Sequence, residues 1–441
     1  MDIFFTLLFL PLIYYVIKRM RKNQSALWIL LGVMSFFSLG YYVLPVFFKS
    51  ESGLSNIGSF ELSEVIFMSL LFFFFLIQGV RFGEYKFLNK RQKKLKLPNL
   101  DYWFFKNYKK LFYVSFILWL GYYFTNDLTV YNVEDLDSYY NKQSVYKGLL
   151  ASLSNVFLAV MAVSLALVIK VNSKNRILMI ICYVIVAFLL LGTAQRIFAI
   201  TPIFFMVAAL CIHNNYRLGI KIISLGIVFL LVISPFMVFL RQLSDVSDKK
   251  ELFAASSSYA VDNVFESGFN SLMARADTYF VMTHLKNDFD NPFSHFNHVQ
   301  YVSAIIVSFF PRIIINEKPQ VLSDNGELSG EISVMAWNTV VKKGIGSLTT
   351  FGAITAYREG GWVWVILNGF LTGIAYAWFY VFFAKGGQIG KILFVSLFVT
   401  LAIKQVPPSL FYFIIFIKPT LQIAVVLFVI DKLLYRKKKY N

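Results

Sequence analysis

The sequence predicts an all-α polytopic membrane protein: about eleven transmembrane helices with a large helical outer loop. Three observations predict it. The 441-residue chain is 58% hydrophobic with a mean hydropathy of +0.63, more apolar surface than one water-soluble core can hide. Apolar runs long enough to cross most of a roughly 30 Å hydrocarbon layer recur along it. Between those runs, Lys and Arg gather in short clusters.

Taken in order, spans are expected near 2–17, 25–48, 63–80, 111–125, 149–170, 177–192, 197–212, 219–240, 360–383, 390–406 and 409–430. The shortest must extend into flanking polar residues. Basic clusters at Lys18–Lys22, Arg81–Lys110, Lys170–Arg176, Arg217–Lys221, Lys385–Lys391 and Lys432–Lys439 then all fall on one side, which the positive-inside rule makes the cytoplasm. They hold 26 of the 42 basic residues, so the net charge of +18 is a topology signal and not a nucleic-acid footprint. The N-terminus is expected outside and the C-terminus in the cytoplasm. Met1-Asp2 has no positive n-region, which disfavours a signal peptide. Cys182 and Cys211 lie in apolar runs and imply neither a disulfide framework nor a cysteine metal site.

Three connections stand out. Segment 81–110 reads as a solvated basic anchor against anionic lipid heads, and 126–148 as an acidic, tyrosine-rich outer loop. The largest outer segment, 241–360, is far longer than an ordinary connection, and such loops are usually functional. No repeat or Gly/Ser linker divides the chain, so 1–441 reads as a single integral membrane domain containing that loop. Within it, 299–310 (VQYVSAIIVSFF) is too short to span and reads as an interfacial or re-entrant helix, which Pro311 ends.

The chain prefers lysine, yet Arg196, Arg241, Arg275, Arg312 and Arg358 fall outside, against the inward bias of positive charge. Arginine grips phosphate with a planar fork and stays charged where water is scarce, so a lipid diphosphate is the expected anion. Four of them also have a plainer reading. Arg196, in the turn TAQR, could snorkel; Arg275 could pair with Asp277 or Glu266, and Arg358 with Glu359; Arg241 reads as an anchor. Lys418, before Pro419, falls inside the last span, where a charge faces a cavity, a partner or, by snorkelling, the headgroups. The histidines lack metal-site spacing, and there is no P-loop, dinucleotide fingerprint or G-x-S-x-G.

The span layout, the late outer loop, and the short stretches TAQR, FFPRIIINEKPQ and AYREGGW together resemble the Wzy family of O-antigen and oligosaccharide repeat-unit polymerases. The resemblance implies an inverting membrane glycosyltransferase in the bacterial cytoplasmic (inner) membrane. Its substrates would be undecaprenyl-diphosphate-linked oligosaccharides, joined into surface polysaccharide on the outer face without metal, nucleotide or other cofactor. Membrane lipids, a chain-length regulator and a flippase are the expected partners, and nucleic acid is not. Arg196, Arg312 with Lys318, and Arg358 match family positions and would contact the diphosphates; Arg275 matches less closely. No catalytic base is matched. Among candidate proton acceptors, Asp277 and Glu359, each beside an arginine, rank ahead of Glu317 and His298, with a salt bridge as the plainer reading. The rivals are an O-antigen ligase, a transporter or flippase of the same lipid-linked sugar, and a scaffolding membrane protein.

Overall fold

The computed structural model describes residues 2–23, 25–47, 59–89, 94–125, 145–171, 175–191, 196–226, 352–403 and 409–440, and they are all-helical. In chain order the helices are α1 (Asp2–Asn23), α2 (Ala26–Phe47), α3 (Ser59–Asn89), α4 (Pro98–Thr125), α5 (Val145–Val171), α6 (Arg176–Leu191) and α7 (Arg196–Ile212). A helical stretch over 216–226 follows. Then come α8 (Gly352–Phe379), continued by a π-helical turn at Tyr380–Ala384, α9 (Gln388–Ile403) and α10 (Leu410–Tyr440). Among the described residues, three helical segments are long and apolar enough to cross a membrane: Ile66–Leu88, Leu153–Val171 and Glu359–Ala384. Ala26–Phe36, Arg176–Leu191, Ile200–Ile212 and Gln388–Ala402 are shorter apolar helices. The expected outer segment up to residue 351, including 299–310, lies outside the described residues.

In 81–110 the described basic residues are exposed or half-buried, as a solvated anchor requires, but several apolar residues between them are packed. Helix α3 runs on to Asn89, and α4 starts at Pro98, well before the expected 111. Proline suits a helix start because the N–H it lacks would have no intrahelical partner. The next two amides, Asn99 N–H and Leu100 N–H, both donate to Oδ1 of Asp431 at 3.0 Å. Leu95, Leu97, Leu100 and Phe104 are buried, so apolar packing and a buried cap hold this segment in the bundle.

The basic clusters converge on one end of the bundle. Arg81 of α3 lies over the Tyr15 ring of α1 at 5.6 Å, and Trp28 at the start of α2 donates its indole N–H to Glu84 of α3. Leu95 N–H donates to the Phe382 carbonyl, Gly387 N–H to the Leu95 carbonyl, and Ile389 N–H to Asp101 Oδ1 at 2.8 Å. A Cβ on Gly387 would collide with the Asp101 carboxylate, so glycine permits this close approach. The alternation of charge along the chain is thus matched by its gathering in space.

Helices α3 and α8 pack most intimately, through glycines spaced four apart on each, Gly79 and Gly83 on α3 and Gly369 and Gly373 on α8, of which Gly79 and Gly373 meet directly. A Cβ on Gly369 would sit 2.6 Å from the Phe72 carbonyl oxygen, and one on Gly83 2.6 Å from Ala377 Cβ. Added carbons on Gly79 and Gly373 would strike the Phe370 and Leu76 carbonyls. Without a hydrophobic force between helices in lipid, such backbone contact through small residues is what drives association. The tight pair α6 and α7 is clasped by the buried Tyr183 hydroxyl, which donates to the Pro202 carbonyl at 2.8 Å.

Candidate functional site

Helix α8 is broken one residue after Glu359. Gly360 (φ −177°, ψ 27°) and Gly361 (φ 67°, ψ −162°) leave helical geometry, and the positive φ at Gly361 is one that a side chain disfavours. The GG of AYREGGW is therefore a backbone requirement. The break turns the Glu359 carboxylate back along the helix beyond it, where Trp364, Asn368 and Thr372 share one face at four-residue spacing. Trp364 Nε1–H donates to Glu359 Oε2 at 2.8 Å, and Asn368 Nδ2–H to the same oxygen at 2.9 Å. Ser409 Oγ–H donates to Oε1 at 3.2 Å.

The network also joins two helices. Asn368 Oδ1 accepts the Leu410 N–H at 2.6 Å and the Thr372 hydroxyl at 3.3 Å. Leu410 opens α10, so the Asn368 amide satisfies a helix-start N–H that would otherwise lack a partner. Ser409, just before it, accepts the Phe413 N–H on its carbonyl. Glu359, Asn368, Thr372 and Ser409 are all buried. Burying an ionisable carboxylate is costly unless several donors surround it, as they do here. Trp362 packs against Phe67 of α3 (ring centroids 5.9 Å) and against Tyr357 (5.6 Å), fixing both sides of the break. The assembly lies at the end of α8 opposite Lys385, and so opposite the basic end.

The expected site residues are placed as follows. Glu359 is the centre of the network. Arg358 precedes it in α8, Arg196 is the first residue of α7, and Lys418 is half-buried in α10. By helical rise, Lys418 lies about 12 Å along the axis from Leu410. The network thus draws together the two helices that carry Arg358 and Lys418. Arg275, Asp277, Arg312 and Lys318 lie outside the described residues. Sequence reasoning missed Trp364, Asn368, Thr372 and Ser409. The available signal was an Asn inside an apolar run at i+4 from a Trp, following a paired glycine.

The family model described as O-antigen polysaccharide polymerase Wzy matches residues 3–439, nearly the whole chain. The chain belongs to the Wzy family. No curated protein and no solved structure matches it. Wzy proteins are membrane proteins that act on lipid-linked oligosaccharide repeat units, as glycosyltransferase-like polymerases of O-antigen polysaccharide. In this Wzy chain the family-level activity and the all-helical, strongly apolar fold agree. The Glu359 network is built on the AYREGGW stretch that carries part of the resemblance.

Proposed function

We propose that the chain polymerises undecaprenyl-diphosphate-linked repeat units by inverting glycosyl transfer on the outer face of the cytoplasmic membrane. Its N-terminus lies outside and its C-terminus inside. An acceptor sugar hydroxyl attacks the anomeric carbon of the growing glycan. The bond from that carbon to the diphosphate breaks, and its electron pair leaves with undecaprenyl diphosphate. Asp277 takes the hydroxyl proton. Negative charge grows on the departing diphosphate, where fixed cations lower the barrier most. Arg196, Arg312 with Lys318, Arg358 and, less centrally, Arg275 supply that charge, and Lys418 stands deeper in α10 toward the lipid. No metal is required, because the arginines take the role a cation would fill.

The observation that carries this reading is the buried Glu359 carboxylate at the end of α8 opposite the basic clusters. Glu359 ranks with Asp277 as a candidate base by sequence, but three N–H or O–H donors occupy its oxygens within 3.2 Å. We assign it a positioning role: it fixes the break that aims the Tyr357-Arg358 end of α8. Arg196 is assigned to the diphosphate by the same reading: a cation at the first position of α7 adds to the positive end of the helix dipole, and both favour an anion.

The test is the lipid-linked product pool of a deletion strain. The reading expects single repeat units on the outer leaflet and no long polymer. Units stranded on the cytoplasmic leaflet would indicate a flippase instead, and full-length polymer made without a redundant enzyme would contradict the proposal.

A further inference from the structure

At the basic end, helices α5, α7 and α9 pack on one another, and each brings one nitrogen-bearing side chain to the shared end of that junction. Lys170 is the next-to-last residue of α5, Lys391 lies in the first turn of α9, and His213 follows α7 directly. His213 is only 4% exposed, and its Nε2 has no hydrogen-bond partner. An unsatisfied buried nitrogen costs roughly 1–3 kcal/mol, so an acceptor that paired with Nε2 would recover that cost. Burial first, then the charges of Lys391 and Lys170, lower the His213 imidazole to about 3. At neutral pH it is therefore an uncharged ring that can offer an N–H beside two ammonium groups.

The carboxylates of this end are engaged by other donors. Glu84 accepts the Trp28 indole N–H, Asp101 spends Oδ1 on Ile389 N–H and Oδ2 on Leu97 N–H, and Asp431 accepts Asn99 N–H and Leu100 N–H. Only Asp101 exerts an attractive charge on Lys391, against repulsion from Lys170 and Lys385. Lysines remain in excess. Lys170 and Lys385 are exposed and Lys391 is half-buried, so an anion can reach them from the membrane surface.

We propose that the α5–α7–α9 junction binds a phosphate-bearing group, held by Lys170 and Lys391 with His213 as its buried donor. A phosphate has an acceptor oxygen for each of the three groups, and two lysines match its charge as point cations. This chemistry has two sources, the headgroup of an anionic phospholipid and free phosphate in the cytosol. The site is remote from the proposed diphosphate site at the other end of the bundle, and it does not depend on the polymerase reading.

The experiment uses the full-length protein in detergent with dioctanoylphosphatidylglycerol, dioctanoylphosphatidylcholine as the zwitterionic control, and inorganic phosphate, with bound molecules counted by native mass spectrometry. Wild-type protein should retain phosphatidylglycerol over phosphatidylcholine. Lys170→Gln with Lys391→Gln should weaken that binding about tenfold, a change of about 1.4 kcal/mol. Arginine at both positions should restore it, and Lys18→Gln with Lys22→Gln, in another basic cluster, should leave it unchanged. Displacement by millimolar inorganic phosphate assigns the site to free phosphate; persistence assigns it to a lipid headgroup. His213→Phe keeps both lysines and should also weaken binding, which serves if the glutamine pair fails to fold. Wild-type binding by a folded glutamine pair, or by folded His213→Phe, would overturn the proposal. So would an equal loss in the Lys18/Lys22 variant.

Discussion

Ser409 and Glu359 stand 50 positions apart in sequence and share a 3.2 Å hydrogen bond at the end of the bundle opposite the basic clusters. That bond, with the Asn368 amide between them, makes the α8 break and the start of α10 one unit. The polymerase reading needs such a unit, because cations that stabilise a leaving diphosphate help only if they are held in place before the charge appears.

Glu359→Gln and Glu359→Ala should separate. Glutamine keeps an acceptor for Trp364 and Asn368 and can donate to Ser409, so the protein should retain most of its melting temperature and polymer. Alanine strands buried donors at about 1–3 kcal/mol each and should lower both. A well-folded Glu359→Gln variant that makes no polymer would instead make Glu359 the base.

Gly361→Ala places a side chain at φ 67°, ψ −162°, a conformation costing of order 1–3 kcal/mol for a non-glycine residue. The variant should insert but lose polymer length, since the break brings the Glu359 carboxylate to Trp364 and Asn368. Wild-type ladders from this variant would show that the break is not needed for activity.

Gly373→Val drives a branched side chain into the Leu76 carbonyl and the Gly79 backbone, and should prevent α3 and α8 from docking. Gly121→Ala meets nothing within 4 Å and should be silent. The check is the fraction of monodisperse protein recovered in detergent, with the two variants expected at opposite extremes.

The fold was legible in the sequence where a single property dominated. Hydropathy marks the helices, and the lysine clusters mark the end at which Arg81, Lys385 and Asp431 meet. What was hidden depended on which helices are neighbours. The four-residue spacing of Gly79–Gly83 and of Gly369–Gly373 is visible in each apolar run, but its meaning lies in the facing pair. In 81–110 the basic residues mask the buried leucines, because the caps that hold the segment come from Asp431, over 300 positions away. At the site, AYREGGW pointed to Glu359, while Asn368 and Ser409 resemble any polar residue in a span until the kink brings them to the carboxylate.

Topology can be tested by cysteine labelling. With the buried Cys182 and Cys211 replaced, a cysteine at Lys93 should resist an impermeant thiol reagent in intact cells, and one at Ser257 should react. The reverse pattern would invert the proposed orientation.

Charge and geometry at the proposed diphosphate site can be separated. Arg312→Ala should abolish polymer without reducing membrane protein level, and Arg196→Ala should behave similarly. Arg312→Lys keeps the charge but loses the planar fork, so it should recover only part of the activity. Arg241→Ala should be mild. Normal ladders from both Arg312→Ala and Arg196→Ala would reduce these arginines to anchors and make Lys418 the next candidate.

The central claim is tested most directly with purified protein in vesicles, given only undecaprenyl-diphosphate-linked repeat units, with a chelator present and no nucleotide. The account predicts a ladder of lengthening glycans on lipid diphosphate, with free undecaprenyl diphosphate released once for each bond formed, and no ladder from Arg312→Ala. Repeat units recovered at their starting length from folded wild-type protein would contradict it.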